Sequence, residues 1–131
     1  MAVITIVGSG MMGSALAFPA RENGSEVRLV GTHLDREIIE NARKTNRHLK
    51  FHRDFPEGVQ FYQIEELEQA LEGADLVIGG VSSFGVEWFG DYVLPRIAEG
   101  TPLLTVTKGL MDMPDGRLLT YPDLWQQKLD A

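Results

Sequence analysis

A glycine-rich turn directly after the first apolar segment constrains this chain more than any other feature of its sequence. The segment Val-Ile-Thr-Ile-Val at residues 3–7 is typical of a β-strand buried on both faces, as in a parallel sheet. Gly8, Gly10 and Gly13 follow it at once and form the pattern GxGxxG. Residues 11–21 have the pattern of a helix, so the glycines are predicted to lie at a strand-to-helix turn.

Such a turn is suited to hold a pyrophosphate. The first glycine permits the tight turn, the second lets the backbone approach the phosphates, and the third lets the helix pack closely against the strand. The N-terminus of the helix adds unpaired N–H groups and the positive end of its dipole. We therefore predict a dinucleotide-binding turn that includes Gly8, Ser9, Gly10 and Gly13. The alternative is a glycine-rich turn that serves packing alone.

Composition restricts the partners that the chain is expected to have. Its 131 residues include 12 basic and 19 acidic ones, a net charge of −7, which argues against a nucleic acid or an anionic membrane surface. It has no cysteine, and its 3 histidines are not spaced with carboxylates as metal ligands are, so no disulfide or metal site is expected. No segment approaches the roughly 20 apolar residues of a membrane span, and no signal-peptide pattern opens the chain. We therefore expect a soluble, cytoplasmic protein.

Strand and helix patterns alternate along the rest of the chain. Strands are predicted at residues 26–30, 59–62, 75–81 and 102–106, and helices at residues 34–42, 65–71 and 84–97. A last helix is predicted after Thr120, its cap, with Asp123 three residues on. Residues 45–57 are predicted to be an irregular polar loop. This order predicts one α/β domain over residues 1–131, a Rossmann-type doubly wound, mainly parallel sheet with helices on both faces.

The carboxyl ends of the strands are where a ligand is expected, because such sheets bind ligands near the point where the strand order reverses. Four segments are predicted to meet there, namely residues 8–13, 31–33, 81–84 and 107–109. The third contains Val81 and Ser82, and the fourth contains Lys108. A lysine is usually a solvated surface residue, but at the end of a central strand Lys108 could bind a substrate phosphate or polarise a carbonyl oxygen.

The segment after the second strand bears on the choice of cofactor. An NAD site of this kind carries an acidic residue here for the ribose hydroxyls, whereas this chain has Gly31, Thr32 and His33. Without an acid at Gly31, nothing there repels a 2′-phosphate, which Thr32, His33 or Arg36 could contact. We predict that NADP(H) is accepted and leave NAD(H) open. The alternative is a polar loop in which Arg36 pairs with acids of the helix.

Taken together, these motifs resemble the amino-terminal half of NAD(P)-dependent glycerol-3-phosphate dehydrogenase. The resemblance runs through GSGMMGSALA, ENGSEVRLVGT, Asn46 in the polar loop and LEGADLVIGGVSS, and closes with TKGL at residues 107–110. It covers essentially the whole chain, and TKGL is its most specific piece outside the glycines. The resemblance implies hydride transfer between C4 of the nicotinamide and C2 of glycerol 3-phosphate, which interconverts that substrate with dihydroxyacetone phosphate and supplies the backbone of phospholipids.

The resemblance also implies roles for individual residues. It places cofactor contacts at the glycines and at Met11, Met12 and Thr32, with His33 adjacent, and it places Lys108 near both nicotinamide and substrate. The chain departs from the family pattern in three places. Met11 and Met12 replace a small residue and an aromatic one, Ser82 stands where proline is common, and the neutral Thr32 stands where a basic residue is often found.

A further implication concerns residues that this sequence does not contain. The family's principal acid–base lysine and most of its phosphate-binding groups belong to a later, mostly helical domain, whereas this chain ends at Ala131. We therefore interpret the chain as a truncated dehydrogenase that holds most of a cofactor site and is inactive, or nearly so, alone. The expected substrate is a small phosphorylated triose or glycerol, and a homodimeric assembly is left open.

Three other interpretations remain open from the sequence. The chain could be the cofactor domain of another two-domain dehydrogenase, of the ketopantoate reductase or 6-phosphogluconate type, or a stand-alone dinucleotide-binding module that regulates a partner. It could also dock another subunit through two groups of apolar side chains: Trp88, Phe89 and Tyr92, and Tyr121, Leu124, Trp125 and Leu129. The alternative for those side chains is packing in the core or against a further domain.

Overall fold

Five strands form a parallel sheet at the centre of the computed structural model, which describes residues 1–51, 53–82, 85–106, 110–112 and 114–130. The strands of this part of the chain are β1 (Val3–Val7), β2 (Glu26–Val30), β3 (Arg47–His48), β4 (Arg53–Asp54), β5 (Gln60–Tyr62), β6 (Leu76–Gly79), β7 (Leu103–Thr105), β8 (Leu110–Asp112) and β9 (Leu118–Thr120). The central sheet has the order β5-β2-β1-β6-β7, and each neighbouring pair in it is parallel. The predicted mainly parallel, doubly wound sheet is therefore confirmed.

Helices connect the strands of this sheet, as the sequence predicts. They are α1 (Met11–Glu22), α2 (Arg36–Thr45), α3 (Leu67–Leu71) and α4 (Val86–Trp88), and a further helix, α5 (Tyr121–Asp130), follows β9. A 3₁₀ turn, Ile64–Glu66, precedes α3, and α4 continues as a π-helical turn, Phe89–Val93, and a 3₁₀ turn, Leu94–Arg96. The predicted cap of the last helix is confirmed, because the Asp123 N–H donates a hydrogen bond to Thr120 Oγ1 at 3.3 Å.

The sheet is buried on both faces, which is why its strands are apolar at consecutive positions. Ile6 and Leu29 pack with α1 and α2 on one face, whereas their neighbours Val7 and Val30 pack on the other face, towards α3 and α4. Successive side chains of a strand point to opposite faces, so an apolar pair of neighbours contributes to both layers of the core. The predicted arrangement of helices on both faces is confirmed.

Most of the apolar side chains considered for docking another subunit lie in the core. Phe89 and Trp125 are buried with their ring centroids 4.8 Å apart, and Trp125 Nε1 donates a hydrogen bond to Val86 O at 2.9 Å. Tyr121 and Leu124 are buried in the same cluster. The packing alternative therefore holds for these four residues. Trp88 and Tyr92 are half-buried beside them, and the side chain of Leu129 lies outside the described part.

The predicted irregular loop at residues 45–57 is partly wrong, because it contains an antiparallel hairpin. In this hairpin β3 pairs with β4, with His48 opposite Arg53. Asn46 ends α2 in the left-handed conformation, at φ 58°, and its side-chain amide donates to Phe55 O at 2.8 Å. Two-residue strands are too short to show an alternating pattern, so only contacts made by the folded chain define this hairpin.

Two other elements differ from the predicted pattern. The second helix begins at Arg36 rather than at residue 34, because residues 32–35 form a separate turn in which the Asp35 N–H donates to Thr32 O at 3.0 Å. An antiparallel pair, β8 and β9, precedes the last helix, where only a turn was predicted. Neither difference changes the central sheet.

Candidate functional site

The crevice between the ends of β1 and β6 lies where the strand order reverses. The chain leaves β1 through α1 towards β2 on one side, while β6 lies on the other side of β1. Gly8 follows β1, and its N–H donates to Val30 O at 2.8 Å; Gly80 follows β6, and its N–H donates to Val7 O at 2.8 Å. Hydrogen bonds of the sheet thus continue up to both turns and fix their starting points.

Gly8, Gly13 and Gly80 meet backbone against backbone at this crevice. A Cβ atom added to Gly13 would lie 1.9 Å from the carbonyl oxygen of Gly8, and one added to Gly80 would lie 2.8 Å from Gly13 Cα. Gly8 has a φ of +111°, and a Cβ there would lie 2.7 Å from the Gly80 carbonyl carbon. These three positions therefore admit no side chain without movement of the backbone. The close packing expected of the third glycine is observed.

Gly10 has the opposite surroundings. A Cβ added there would have no heavy atom within 4 Å, and Gly10 has no side chain with which to cap α1. The Ser14 N–H donates to Gly10 O at 2.9 Å, so the helix begins immediately after this residue. The N–H groups in the first turn of a helix have no partner within the helix. The open space before α1 is thus bordered by backbone donors and by the positive end of the helix dipole.

Asp35 ties the glycine turn to the end of β2, a role that the sequence analysis missed. Its Oδ2 atom accepts hydrogen bonds from the Ser9 N–H at 3.1 Å, the Thr32 N–H at 3.0 Å and Thr32 Oγ1 at 3.1 Å. An aspartate at the start of a helix usually indicates a local cap, but Asp35 makes no side-chain bond to α2. The position of Asp35 in the sequence therefore gave no sign of its bond to a residue 26 positions away.

Ser9 lies inside the protein rather than in the crevice. It is fully buried, and its carbonyl oxygen accepts hydrogen bonds from Ser14 Oγ at 2.8 Å and from the His48 ring at 2.9 Å. A Cβ added to Gly31 would lie 3.3 Å from Ser9 Oγ, so this side chain faces the end of β2. The geometry gives Ser9 a structural role in the turn and keeps its hydroxyl away from the ligand side.

The residues that follow β2 divide into buried and exposed ones. Gly31 has no room for an acid, because a Cβ there would lie 2.5 Å from Ile39 Cγ1. Thr32 is buried, and its hydroxyl donates to Asp35 and accepts from the Leu34 N–H at 3.2 Å, so both of its hydrogen-bonding roles are taken. The expectation of a direct phosphate contact by this hydroxyl is not supported by this geometry.

His33 is exposed at the rim of the crevice. Its ring lies edge-on to Trp88, with 5.6 Å between the ring centroids. Arg36 points elsewhere and is paired, as the alternative for this residue predicts, but its partner Glu65 lies on the 3₁₀ turn before α3 and not on α2. The hydrogen bond to Glu65 is the main cause that raises the pKa of Arg36, and the reciprocal bond lowers the pKa of Glu65. Of these two basic candidates, only His33 is directed towards the crevice.

A cavity of about 410 Å³ occupies the crevice, a volume in the usual range for small-molecule sites. It is lined by Gly8, Gly10, Thr32, His33, Leu34, Asp35, Gly80, Val81, Ser82, Gly85 and Trp88. Three of the four segments predicted to converge therefore do so. Lys108 and the rest of the fourth segment, residues 107–109, lie outside the described residues. Met11 and Met12 are exposed, and Met11 lines a different cavity beside Lys50 and Arg53.

In the described part of the chain, no helix is long and apolar enough to cross a membrane. No group of three or more histidine, cysteine, aspartate or glutamate side chains in those ranges could hold a metal ion.

The parallel sheet in this strand order, with a glycine turn at its point of reversal, defines the Rossmann-type class of α/β domain. The family model described as NAD-dependent glycerol-3-phosphate dehydrogenase N-terminus matches residues 3–129. The chain therefore belongs to this family, and the resemblance seen in the sequence is confirmed.

Individual relatives support this assignment. The chain is 37% identical over 129 residues to the NADP(+)-dependent glycerol-3-phosphate dehydrogenase of Archaeoglobus fulgidus, covering 98% of this chain and 38% of that protein. The crystal structure of glycerol-3-phosphate dehydrogenase from Coxiella burnetii superposes with a TM-score of 0.78 at 28% identity, covering 99% of this chain and 38% of that one. The Saccharomyces cerevisiae enzyme shares the fold at 13% identity, with a TM-score of 0.77 and coverage of 97% and 39%. The chain thus spans less than two fifths of the length of these relatives.

Proposed function

We propose that this chain is the NAD(P)-binding domain of a glycerol-3-phosphate dehydrogenase. In that reaction NAD(P)H and a proton reduce dihydroxyacetone phosphate to glycerol 3-phosphate, and NAD(P)⁺ is formed; the reverse reaction oxidises C2 of glycerol 3-phosphate. The observation that carries the proposal is the open space at Gly10, before the N-terminus of α1, in a chain whose residues 3–129 match the family. A pyrophosphate placed there meets backbone donors and no side chain.

The residues of the crevice fit such a cofactor. The Gly8–Gly13–Gly80 contact fixes the start of α1, and Asp35 holds the Ser9 peptide, so the turn is formed before any ligand binds. Preorganisation of this kind reduces the entropy lost on binding. Val81 and Ser82 border the side that belongs to β6, and His33 borders the side that belongs to β2. The bound cofactor supplies the hydride; the protein supplies its position.

The proton that reaches the carbonyl oxygen needs a donor within hydrogen-bond reach. Among the described residues that line the cavity, only His33 and Asp35 have ionisable side chains, and the Asp35 carboxylate is held by hydrogen bonds from Ser9 and Thr32. We assign Lys108 a contact with substrate and cofactor, on its match to the family's TKGL segment, and we assign proton transfer to residues that this sequence does not contain. The pure 131-residue chain should therefore bind cofactor without turning over dihydroxyacetone phosphate. Rapid NADPH-dependent turnover by it would contradict this assignment.

The geometry of the cavity supports a site that accepts NADP(H). Among the described residues that line the cavity, the only carboxylate is that of Asp35, which points inward to three donors. Gly31 has no space for a second one. A 2′-phosphate would therefore meet no unengaged acid among these residues, and the Archaeoglobus fulgidus relative is named as NADP(+)-dependent. NAD(H) is expected to bind as well, because nothing in this arrangement excludes a ribose hydroxyl.

The test is a fluorescence titration of the folded chain with NADPH and with NADH, alongside the Gly10→Val variant. The valine side chain fits the fold, because the position is open, but it fills the space before α1. We expect saturable binding to the native chain and at least about a tenfold weaker binding to the variant, the effect of blocking close contact with the phosphates. Circular dichroism and the thermal midpoint serve as folding controls.

Two outcomes would contradict the proposal. One is the absence of binding of either nucleotide to native protein that is folded. The other is equal affinity of the native chain and the Gly10→Val variant, which would place the nucleotide elsewhere. If the chain is instead a stand-alone module that regulates a partner, the nucleotide-bound monomer would change the activity of that partner. That effect would not depend on any substrate.

The remaining assignments follow from the same proposal. We propose a small phosphorylated triose or glycerol as the substrate and the cytoplasm as the location. A homodimer is the assembly that we propose for this chain, and light scattering of the purified chain across a range of concentrations tests it. A constant monomer mass up to the highest concentration would contradict the dimer.

A further inference from the structure

His48 is a fully buried histidine that neither the glycine motif nor the cavity includes. It lies on β3, its relative exposure is 0%, and its ring stacks on Phe51 with 4.4 Å between the centroids. A buried imidazole is expected to satisfy both ring nitrogens. The hydrogen-bond partners of His48 connect the β3–β4 hairpin to the glycine turn.

The hydrogen bonds of His48 define its tautomer. The Lys50 N–H donates to His48 Nδ1 at 3.0 Å, and a backbone N–H can only donate, so Nδ1 carries no proton. In the neutral ring the proton is therefore on Nε2, which lies 2.9 Å from the carbonyl oxygen of Ser9. The Nε2–H group donates to that oxygen. Both nitrogens are thereby satisfied, and the direction of each bond is fixed.

The peptide that His48 contacts is the one that joins Ser9 to Gly10. In a trans peptide the C=O and N–H groups point in opposite directions. A carbonyl that is directed inward to His48 therefore directs the Gly10 N–H away from the hairpin. That N–H has no backbone partner among the described residues, and Gly10 borders the cavity. The turn contains glycine on both sides of Ser9, so its conformation depends on such tethers.

We propose that His48 is a positioning residue for the cofactor, whose Nε2–H bond to Ser9 O orients the Gly10 N–H towards a phosphate. This inference rests on the proposed function of the crevice. His48 itself touches no ligand and acts through one peptide plane. Asp35 holds the N–H of Ser9 and His48 holds its carbonyl, so the two residues fix the same short segment from opposite ends.

The experiment compares His48→Asn with His48→Gln, because the two amides mimic different nitrogens of the ring. The asparagine amide reaches the position of Nδ1 and can accept from the Lys50 N–H, but it does not reach Ser9 O. The glutamine amide reaches the position of Nε2 and can donate to Ser9 O. We expect the NADPH dissociation constant to rise about tenfold in His48→Asn, the effect of one lost hydrogen bond, and to stay within about threefold of native in His48→Gln.

The Phe51→Leu variant is the control for general damage to the hairpin. It removes the ring stacked on His48 and leaves both hydrogen bonds of the imidazole possible. We expect it to lower the thermal midpoint without a change in the NADPH dissociation constant. Equal loss of affinity in Phe51→Leu and His48→Asn, or native affinity in a folded His48→Asn, would overturn the proposal.

A measurement on the native chain tests the role of His48 independently of cofactor binding. Long-range ¹H–¹⁵N spectra of the histidine rings report the tautomer without any ligand, and we expect His48 to be in the Nε2–H form. A ring in the Nδ1–H form would overturn the positioning role whether or not NADPH binds. An Nε2–H ring in a chain that binds neither nucleotide would contradict the proposed function instead.

Discussion

The glycine turn and the outer flank of α2 are held by different kinds of force. At the turn, the backbones of Gly8, Gly13 and Gly80 are in contact, and the carboxylate of Asp35 accepts three hydrogen bonds. On the flank, charged side chains pair at the surface: Arg36 with Glu65, Arg43 with Glu66, and Lys44 with Glu40. Surface ion pairs of this kind contribute from zero to about 1 kcal/mol each, because water and salt screen them.

This difference predicts which positions of the chain tolerate substitution. Steric contacts between backbones cannot relax by rotation of a side chain, and donors buried without an acceptor lose their hydration. Exposed charges keep most of their hydration and can take new rotamers. We therefore expect substitutions at the turn to reduce stability or cofactor affinity by large amounts, and substitutions on the flank to have small effects.

The largest effect is expected for Gly13→Ala. Its Cβ would lie 1.9 Å from Gly8 O, so α1 must move away from β1. We expect a loss of more than about 3 kcal/mol in the free energy of unfolding, or failure to fold. Urea denaturation measures it, with Gly10→Ala as the matched control in the same turn, where a Cβ has open space. Equal stability of the two variants would show that α1 can move away from β1 at little cost in the free energy of unfolding.

Asp35→Ala is the next change, and it compares a carboxylate at the turn with one on the flank. It leaves the N–H groups of Ser9 and Thr32 without their acceptor, which we expect to cost about 2–4 kcal/mol in the free energy of unfolding. Glu40→Ala, which removes an exposed partner of Lys44, should cost less than about 0.5 kcal/mol. The comparison between turn and flank fails if the two alanine variants lose similar stability.

His33 and Arg36 extend the comparison to the choice of cofactor. His33 borders the cavity, whereas Arg36 is paired with Glu65 outside it. We expect His33→Ala to lower the affinity for NADPH about threefold relative to NADH, through loss of a polar contact with the 2′-phosphate, and Arg36→Ala to leave that ratio unchanged. Titrations of both variants with both nucleotides measure the ratio. A change confined to Arg36→Ala would mean that the arginine leaves Glu65 when the cofactor binds.

The parts that could be predicted from the sequence are those encoded over short distances. The strands at residues 3–7 and 26–30 agree with the structure to the residue, because an apolar run and its flanking turns define each of them. The GxGxxG pattern predicted the position of the crevice for the same reason. Asp35 and His48 could not be found in this way, since their bonds to Ser9 span 26 and 39 residues. The role of Lys108 stays a prediction, because it lies outside the described residues.

The smallest effect is expected for the titration of Glu66 on the flank. Its pKa lies below the ordinary 4.5, because its carboxylate accepts the Gln63 N–H and pairs with Arg43. A lowered pKa means that the charged form is favoured in the folded chain. The ionised Glu66 therefore contributes to the free energy of unfolding above the ordinary pKa. This contribution is lost as the pH falls below about 4.5 through the pKa of the folded state.

The Glu66→Gln variant isolates that contribution. Its amide oxygen can still accept from the Gln63 N–H, but it carries no charge and does not titrate. Because the Glu66 side chain is one-third exposed, we expect the native chain to lose less than about 1 kcal/mol more than the variant between pH 7 and pH 3. Urea midpoints of both proteins across that range measure the difference. A difference as large as the Asp35→Ala effect would mean that this flank, like the turn, is held by a desolvated charge.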